Sequence, residues 1–140
     1  MPYRNLKQLN FSENYFISPN KQDNLSYIRS LPAVSGVYAI VANNNLVRLK
    51  GTSDIIYIGQ TKNLRNRIKT LFKYLIPENV YKITYNHTAR PGLMKILNET
   101  DYNLSITFLV HNNPREVERK LLMAYCNNHI ETPPLNNQRE

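Results

Sequence analysis

The sequence predicts an α+β domain, in which short buried strands and amphipathic helices pack around one core. Two nearly continuous apolar runs, Gly36–Ala42 and Ile55–Ile58, are typical of strands that are buried on both faces. A later segment, residues 64–75, spaces its apolar side chains as an amphipathic helix does. With 140 residues, of which 41% are apolar and 20% charged, the chain has the size and composition of one folded domain.

The amino-terminal residues are polar and rich in asparagine, and they predict a short helix over Gln22–Ser30. That helix is expected to end before Pro32, because a residue that precedes proline disfavours helical backbone angles. We expect residues 1–31 to be an extension of the same folded unit, and residues 32–140 to form the main domain.

The central strands are predicted to form an antiparallel hairpin with a long tip. Gly36–Ala42 is the first strand, and Asn43–Asn45 is expected to be a turn, since asparagine tolerates left-handed backbone angles. Leu46–Leu49 is expected to form a short strand, followed by a second turn at Gly51–Asp54. Ile55–Ile58 then returns beside the first strand.

The helix after the hairpin is expected to begin at a cap formed by Thr61 or Asn63 and to run to about Leu75. Pro77 ends it. Its apolar residues share one face: Leu64, Ile68, Leu71, Phe72 and Leu75.

The second half of the chain predicts two further strands and two further helices. We expect a strand at Val80–Tyr85, a short helix at Leu93–Leu97 and a strand at Leu104–Val110.

The last helix has the clearest start signal. Asn113 precedes Pro114, a residue favoured at the first helical position, and Glu116 follows the cap by three residues, as in a capping box. This helix is predicted to continue to about Asn127.

Glu118 lies inside the apolar face of this last helix. The other residues of that face are Val117, Leu121, Leu122 and Tyr125. A carboxylate in a buried stripe costs free energy unless a cation or a hydrogen-bond donor receives it. The sequence leaves two partners open, an arginine in a structural salt bridge and a divalent cation.

Composition excludes several classes of protein. Cys126 is the only cysteine, so the chain has neither an internal disulfide nor a cysteine-rich zinc site. No apolar stretch approaches the length of a membrane span, and the amino terminus lacks the apolar region of a signal peptide. We therefore expect a cytoplasmic protein that has no membrane partner.

The charge distribution indicates a polyanionic partner. The formal net charge is +8 and the isoelectric point is about 9.7. Between Tyr57 and Lys95 the one acidic residue is Glu78, and the basic residues are Lys62, Arg65, Arg67, Lys69, Lys73, Lys82, Arg90 and Lys95. Aromatic residues and a histidine are interleaved with them: Tyr74, Tyr81, Tyr85 and His87. This mixture favours nucleic acid, and the alternative is a solvated basic face.

Two tripeptides, Gly36–Tyr38 and Tyr57–Gly59, each join a glycine to a tyrosine at the end of an apolar run. Together with a helical arginine eight residues after the second glycine, and a later helix that carries a glutamate, they resemble the GIY-YIG nuclease family. The resemblance covers roughly residues 32–136, and small phage- or restriction-type endonucleases are the nearest subclass. It implies a small antiparallel three-stranded central sheet flanked by helices, as an α/β sandwich.

The resemblance also implies an activity, that of a divalent-metal-dependent endonuclease that hydrolyses DNA phosphodiester bonds at a single-metal site. Glu118 corresponds to the family's metal ligand, with Mg²⁺ as the cofactor and Mn²⁺ as a substitute. Arg67 is the helix arginine that would donate to the phosphate. Tyr57 is our first choice for the base that activates water, with Tyr38 orienting it, and Asn136 is the family's terminal asparagine.

Each of these residues also has a structural interpretation. Gly36 and Gly59 are often found simply ending strands, and Tyr38 and Tyr57 are also consistent with core aromatic residues. Asn136 is equally suited to a hydrogen bond within the last turn.

The basic residues of the first half of this segment are expected to bind the nucleic-acid backbone: Lys62, Arg65, Lys69 and Lys73. Arg65 competes with Arg67 for the role at the phosphate, because both flank the apolar face of the helix.

The chain departs from the family pattern at Leu71, where family members commonly carry histidine or tyrosine. Tyr74 and His87 are candidates to replace that group, and a surface position for His87 is the alternative. The elongated hairpin tip is a second departure, and it places Arg48 and Lys50 as candidates to contact DNA.

Other functions stay open at this point. The chain is also compatible with a catalytically inactive nucleic-acid-binding module of the same fold and with a nuclease that acts on RNA. The expected partner is DNA, either double-stranded or branched, and a homo-oligomer is one alternative for the assembly.

Overall fold

The computed structural model describes residues 9–78, 82–83 and 85–136. Within these residues the chain forms four strands and four helices, which confirms the α+β prediction. The elements in chain order are β1 (Tyr15–Phe16), α1 (Lys21–Ser30), β2 (Gly36–Val47), β3 (Thr52–Thr61), α2 (Leu64–Leu71), α3 (Arg90–Glu99), β4 (Leu104–Val110) and α4 (Pro114–His129).

The sheet contains four strands among the described residues, so the expectation of three is wrong by one. Its order is β1-β4-β2-β3, and all neighbouring strands are antiparallel. The additional strand, β1, has two residues, and Tyr15 pairs with Ile106 of β4. A strand of two residues is too short to show a hydrophobic periodicity, so the sequence alone does not predict it. It forms by pairing with the distant strand β4.

The hairpin of β2 and β3 has a shorter turn than the sequence predicts. The segment Asn43–Asn45, expected to be a turn, lies within β2, where the pairing register shifts between Val41 and Leu46. These asparagines are exposed and occupy the irregular part of the strand. The chain reverses at residues 48–51 instead, because Gly51 adopts a positive φ of 69° and its carbonyl accepts the N–H of Arg48.

The hairpin tip is fixed to the carboxyl end of α4. Arg48 forms an ion pair of 2.9 Å with Glu131 and donates to the carbonyl of Thr132 at 2.7 Å. The backbone N–H of Lys50 donates to the carbonyl of His129. The side chain of Arg48 is therefore largely buried in a structural contact, and the expectation that it contacts DNA is not supported.

The amino-terminal helix and α2 begin close to where the sequence predicts. Asn20 caps α1, and Asn63 caps α2 by accepting the N–H of Asn66 at 3.0 Å. The helix α2 ends at Leu71 rather than Leu75, because the N–H of Phe72 is shared between two carbonyls and the chain continues as turns.

The later elements differ from the prediction mainly at their ends. Helix α3 is longer than the predicted Leu93–Leu97, and β4 matches its prediction. The capping box of α4 is absent, since the side chain of Asn113 makes no capping hydrogen bond and Glu116 pairs with Arg119 instead.

The strand predicted at Val80–Tyr85 falls partly outside the described residues, which omit 79–81 and 84. The described residues of that segment, Lys82, Ile83 and Tyr85, do not belong to a strand.

Helices cover both faces of the sheet. One face packs against α1, α2 and α3, and the largest fully buried side chains of this layer include Tyr38 and Ile40 from the sheet and Leu64 from α2. The opposite face packs against α4 through Leu121, and against Phe11 of the amino-terminal segment. The sheet therefore separates two apolar layers, and α1 shares the first layer with the main domain; the division at residue 32 stays a prediction.

No helix among the described residues combines the length and the apolar character that a membrane span requires.

Candidate active site

Gly59 creates the space in which the two motif tyrosines meet. In the β2–β3 ladder Tyr38 pairs with Gly59, and Ile40 pairs with Tyr57, so both tyrosines and the glycine lie on the same face. The two ring centroids are 5.9 Å apart. A Cβ atom on Gly59 would lie 2.7 Å from a ring carbon of Tyr57 and 2.8 Å from the hydroxyl of Tyr38. The glycine is therefore required for the rings to lie over the strand.

Gly36 has a different role, since it allows the start of β2 to approach its neighbours. A Cβ atom there would collide with the carbonyl oxygen of Leu109 and would lie 2.7 Å from a methyl group of Leu64. Gly36 thus sets the contact between the sheet and the first turn of α2.

Arg67, and not Arg65, is directed at the tyrosines. The Nε of Arg65 donates to the carbonyl of Leu31 at 2.8 Å, which ties α2 to the loop before β2. The Nη1 of Arg67 lies 3.4 Å from the carbonyl of Asn86, and the charge of Arg67 acts to lower the pKa of both Tyr38 and Tyr57. The structure therefore separates two arginines that sequence geometry could not.

His87 is part of this cluster and is only 2% exposed, so a surface position for it is wrong. Its Nε2 lies 2.6 Å from the hydroxyl of Tyr38, and its ring stands edge-on to the ring of Tyr57 at 5.6 Å. The backbone N–H of Ala89 donates to Nδ1 at 3.1 Å. His87 thus lies where it can replace the polar group that Leu71, which is fully buried, does not supply.

The hydrogen bonds of His87 determine which nitrogen carries its proton. Nδ1 accepts a hydrogen bond from Ala89, so it carries no proton itself. Burial, together with the charges of Arg67 and Arg90, lowers the pKa of His87 to about 3, so the ring is neutral at pH 7. The remaining proton is on Nε2, which donates to the Tyr38 hydroxyl and leaves that hydroxyl free to donate elsewhere.

The two tyrosines are unequal. Tyr38 is fully buried, and burial raises its pKa well above the ordinary value, so it is a neutral phenol that a substrate cannot contact. Tyr57 is half-buried; burial raises its pKa as well, while hydrogen bonding with Tyr38, the charge of Arg67 and hydrogen bonding with Thr88 act to lower it. Tyr57 is therefore the tyrosine that can reach a bound phosphate, and Tyr38 positions it.

Glu118 reaches the end of β3 from the opposite face of the sheet. Burial raises the pKa of its carboxyl group, whereas the charge of Arg115 and the backbone N–H of Gln60 act to lower it. Its charge in turn acts to raise the pKa of Tyr57, which indicates that the two groups are near one another. Among the residues that the structure describes, Glu118 forms no ion pair.

The surroundings of Glu118 fit a hard divalent cation. Glu118 is half-buried and forms no ion pair among the described residues, so its carboxylate keeps oxygen lone pairs for a cation. Mg²⁺ is commonly held by one or two carboxylates with water completing its coordination. In the described part of the chain no three His, Cys, Asp or Glu side chains are grouped as metal ligands. A cation at this position would therefore depend on Glu118 and water.

Asn136 supports the strand that carries Tyr57. Its Oδ1 accepts the N–H of Ile58 at 2.9 Å, and its Nδ2 donates to the carbonyl of the same residue at 2.7 Å. The N–H of Leu135 donates to the carbonyl of Ile56. Because β3 is an edge strand, the Asn136 amide makes the two hydrogen bonds that a peptide group of a neighbouring strand would make. The sequence left this structural role open.

The basic segment divides into exposed and structural cations. Lys62 is exposed, and Lys73 is half-buried with its Nζ 5.3 Å from the ring centroid of Tyr74. Arg90 is only 6% exposed, and its guanidinium donates to backbone carbonyls. It therefore adds positive charge to this segment but offers almost no surface for a ligand to contact. Lys69 lies in the last turn of α2, on the same helix as Arg67.

The sequence left two positions open for His87, a surface site and a place beside the motif tyrosines, and the structure shows the second. The contact between His87 and Tyr38 joins residues 49 positions apart and belongs to no periodic pattern. Comparison of the chain with protein-family models, with curated proteins and with solved structures gives no match. The resemblance to GIY-YIG nucleases therefore stays a prediction from the motif residues.

Proposed function

We propose that the chain is a metal-dependent endonuclease that hydrolyses DNA phosphodiester bonds. The observation that carries this proposal is the convergence of Tyr57, Arg67 and Glu118 near the end of one edge strand. A phenol, a guanidinium and a carboxylate without an ion pair among the described residues are chemically suited to proton transfer, phosphate binding and cation binding respectively.

The guanidinium of Arg67 would bind the scissile phosphate. One of its N–H groups is directed at the carbonyl of Asn86, which holds the side chain in place while other N–H groups point towards the tyrosines. Fixed donors of this kind stabilise the negative charge that develops on a phosphate in the transition state. Arg67 is thus positioned by the protein before substrate binds.

The hydroxyl of Tyr57 would accept the proton of the attacking water. Because burial raises its pKa, the phenolate is the minor form at neutral pH, and its neighbours must favour it. His87 donates to Tyr38, and the Tyr38 hydroxyl can then donate to Tyr57. His87 and Tyr38 are positioning residues in this scheme, since neither is exposed to substrate.

Glu118 would hold the cation. Bound Mg²⁺, for which Mn²⁺ would substitute, supplies a Lewis acid that stabilises charge on the phosphate and on the leaving oxygen.

Nicking of supercoiled plasmid tests this function. The wild type is expected to nick with Mg²⁺ or Mn²⁺ and not with EDTA. Arg67→Ala is expected to lower the rate by about 10²- to 10³-fold, the typical cost of removing one such donor. Arg65→Ala is the matched control, and its rate is expected to fall only with the folded fraction, because Arg65 contacts the Leu31 carbonyl.

The competing functions give different results in the same series. A wild type that binds DNA but nicks neither plasmid nor branched DNA with either metal would favour the inactive binding module. Digestion of RNA but not DNA in parallel reactions would favour the ribonuclease.

A further inference from the structure

Two tyrosine side chains beside the candidate active site are exposed to solvent. Tyr85 is 78% exposed and Tyr74 is 55% exposed. Exposed aromatic rings forgo the free energy that burial of such large apolar surfaces gains. A pair of them next to a candidate active site is a feature that core packing does not explain.

Both tyrosines are held by the same buried arginine. The Nε and Nη2 of Arg90 donate to the carbonyl of Thr70 at 3.1 and 2.8 Å, and Nη2 also donates to the carbonyl of Tyr85 at 2.9 Å. The guanidinium carbon lies 5.9 Å from the ring centroid of Tyr74. Arg90 therefore joins the end of α2 to the backbone of Tyr85 and lies beside the ring of Tyr74, so one buried side chain links the two segments that carry the tyrosines.

The same scaffold continues into the candidate active site. The carbonyl of Asn86, the residue after Tyr85, is the one that Arg67 contacts, and the next residue is His87. Two arginines thus hold the carbonyls of two consecutive residues. Adjacent Cα atoms are about 3.8 Å apart, so the Cα atom of Tyr85 lies about that far from the Cα atom of Asn86, whose carbonyl Arg67 contacts.

The charge around these rings favours an anionic partner. Lys73 has its Nζ 5.3 Å from the ring centroid of Tyr74, Arg67 lies on α2, which ends at Leu71 shortly before these residues, and the chain carries a net charge of +8. Exposed aromatic rings among cations are the chemistry that binds unstacked bases, whose faces stack on the rings while the cations contact phosphates. Bases inside a duplex already stack on one another and do not offer these faces.

We propose that Tyr85 and Tyr74 form a stacking surface for an unpaired nucleotide next to the phosphate bound by Arg67. The preferred DNA would then carry unpaired nucleotides beside the scissile bond. The position of that phosphate rests on the proposed function, whereas the stacking itself can be measured by binding alone.

Binding measured by fluorescence anisotropy in EDTA tests the surface without cleavage. The probes are a labelled DNA single strand, the matched duplex, and the same duplex with a gap. The wild type is expected to bind the single strand and the gapped duplex more tightly than the intact duplex. Tyr85→Leu and Tyr74→Leu are each expected to weaken binding of the first two by about 5- to 150-fold, the range for loss of one stacked base.

Two control variants separate stacking from other effects. Tyr85→Phe keeps the ring and is expected to bind as the wild type does. Phe16→Leu removes a ring that is 63% exposed on β1, at the opposite edge of the sheet, and is expected to leave all affinities unchanged. The salt dependence of binding should be the same in Tyr85→Leu and the wild type, because no phosphate contact is lost.

Distinct results would overturn the stacking surface and the nuclease function. Equal losses of single-strand and duplex affinity in Tyr85→Leu, or a Tyr85→Phe variant as weak as Tyr85→Leu, would overturn the stacking surface. If the wild type nicks plasmid while Tyr85→Leu binds every probe normally, the nuclease function stands and the stacking surface fails. If the wild type binds the probes as expected but never cuts DNA, the surface stands and the nuclease function fails.

Discussion

At the scale of single residues, Gly59 matters through the space that it leaves for Tyr38 and Tyr57. In a Gly59→Ala variant the new methyl group would overlap both rings, and repacking is expected to cost about 1–3 kcal/mol in the free energy of unfolding. Displacement of the rings is expected to lower the cleavage rate by about 10²-fold as well, because small errors in catalytic geometry are costly. Urea unfolding and plasmid nicking measure the two effects.

A Gly51→Ala variant is the control for this substitution. Gly51 has a positive φ, so alanine there is expected to cost about 1–2 kcal/mol, yet it lies at the hairpin tip near His129. Equal nicking rates for the two variants, compared at equal folded fraction, would contradict the role assigned to Gly59.

The buried neutral ring of His87 makes stability depend on pH. Burial lowers its pKa from 6.5 to about 3, so between these values the unfolded chain binds a proton that the folded protein does not. Stability is therefore expected to fall as the pH drops below 6.5, by about 1.4 kcal/mol per pH unit from this residue. The measurement is urea unfolding of the wild type and of His87→Gln at several pH values between about 7 and 5, the range in which an unfolded histidine titrates. The comparison isolates the contribution of His87 to the pH dependence of stability.

Other titrating groups are common to both proteins, so the difference between their slopes reports His87. Identical pH slopes for the wild type and His87→Gln would show that His87 is not held neutral by the fold.

Several site residues could be predicted from the sequence because they belong to ordered motifs. Glu118 is a candidate from the sequence because its carboxylate lies on an apolar helical face. In the structure it forms no ion pair among the described residues. Arg67 could not be separated from Arg65 on a helical wheel, since the choice depends on where Leu31 and Asn86 lie. The sequence named His87 as one of two candidates for the group missing at Leu71, but it could not exclude a surface position, because the contact with Tyr38 joins segments that meet only in the fold.

At the scale of elements, the exposed edge of β3 depends on Asn136. An Asn136→Ala variant would leave the N–H and carbonyl groups of Ile58 without these partners, which is expected to cost about 1–3 kcal/mol in the free energy of unfolding. Asn136→Asp keeps the acceptor and loses the donor, so an intermediate loss is expected. Urea unfolding measures both.

Plasmid nicking distinguishes support of the strand from direct chemistry. The rate of Asn136→Ala is expected to fall with the folded fraction. Full stability combined with lost nicking would instead give Asn136 a direct role at the phosphate.

The elements with strong local signals were predicted well, and those formed by distant contacts were not. Helix α1 and strand β4 have apolar periodicity and turn signals at their ends, and the structure agrees with them closely. Strand β1 requires β4 as a partner. The pairing of β2 with β4 ends at Ala42, and its pairing with β3 stops at Val41 and resumes at Leu46. Asn43–Asn45 therefore form an irregularity within the strand, and not the chain reversal that the turn preference of asparagine predicts.

At the scale of the whole molecule, the sheet brings together groups from both of its faces. Helix α2 supplies Arg67 on one face, α4 supplies Glu118 from the other, and Tyr57 lies on the edge strand between them. The sequence could predict each helix, but the meeting of the two at one strand end depends on the order of the strands. The proposed polyanionic substrate would meet a chain whose net charge is +8.

The most direct test of the proposed site compares two glutamates on the same helix. The side chain of Glu116 is 40% exposed and paired with Arg119 and Lys120, whereas Glu118 forms no ion pair among the described residues. The measurement is the rate of plasmid nicking in Mg²⁺ by Glu118→Gln and Glu116→Gln, with urea unfolding to show that both fold. Glu118→Gln is expected to lose about 10²-fold or more of the rate, and Glu116→Gln to retain it. Wild-type nicking by Glu118→Gln, or an equal loss in both variants, would contradict a catalytic cation site at Glu118.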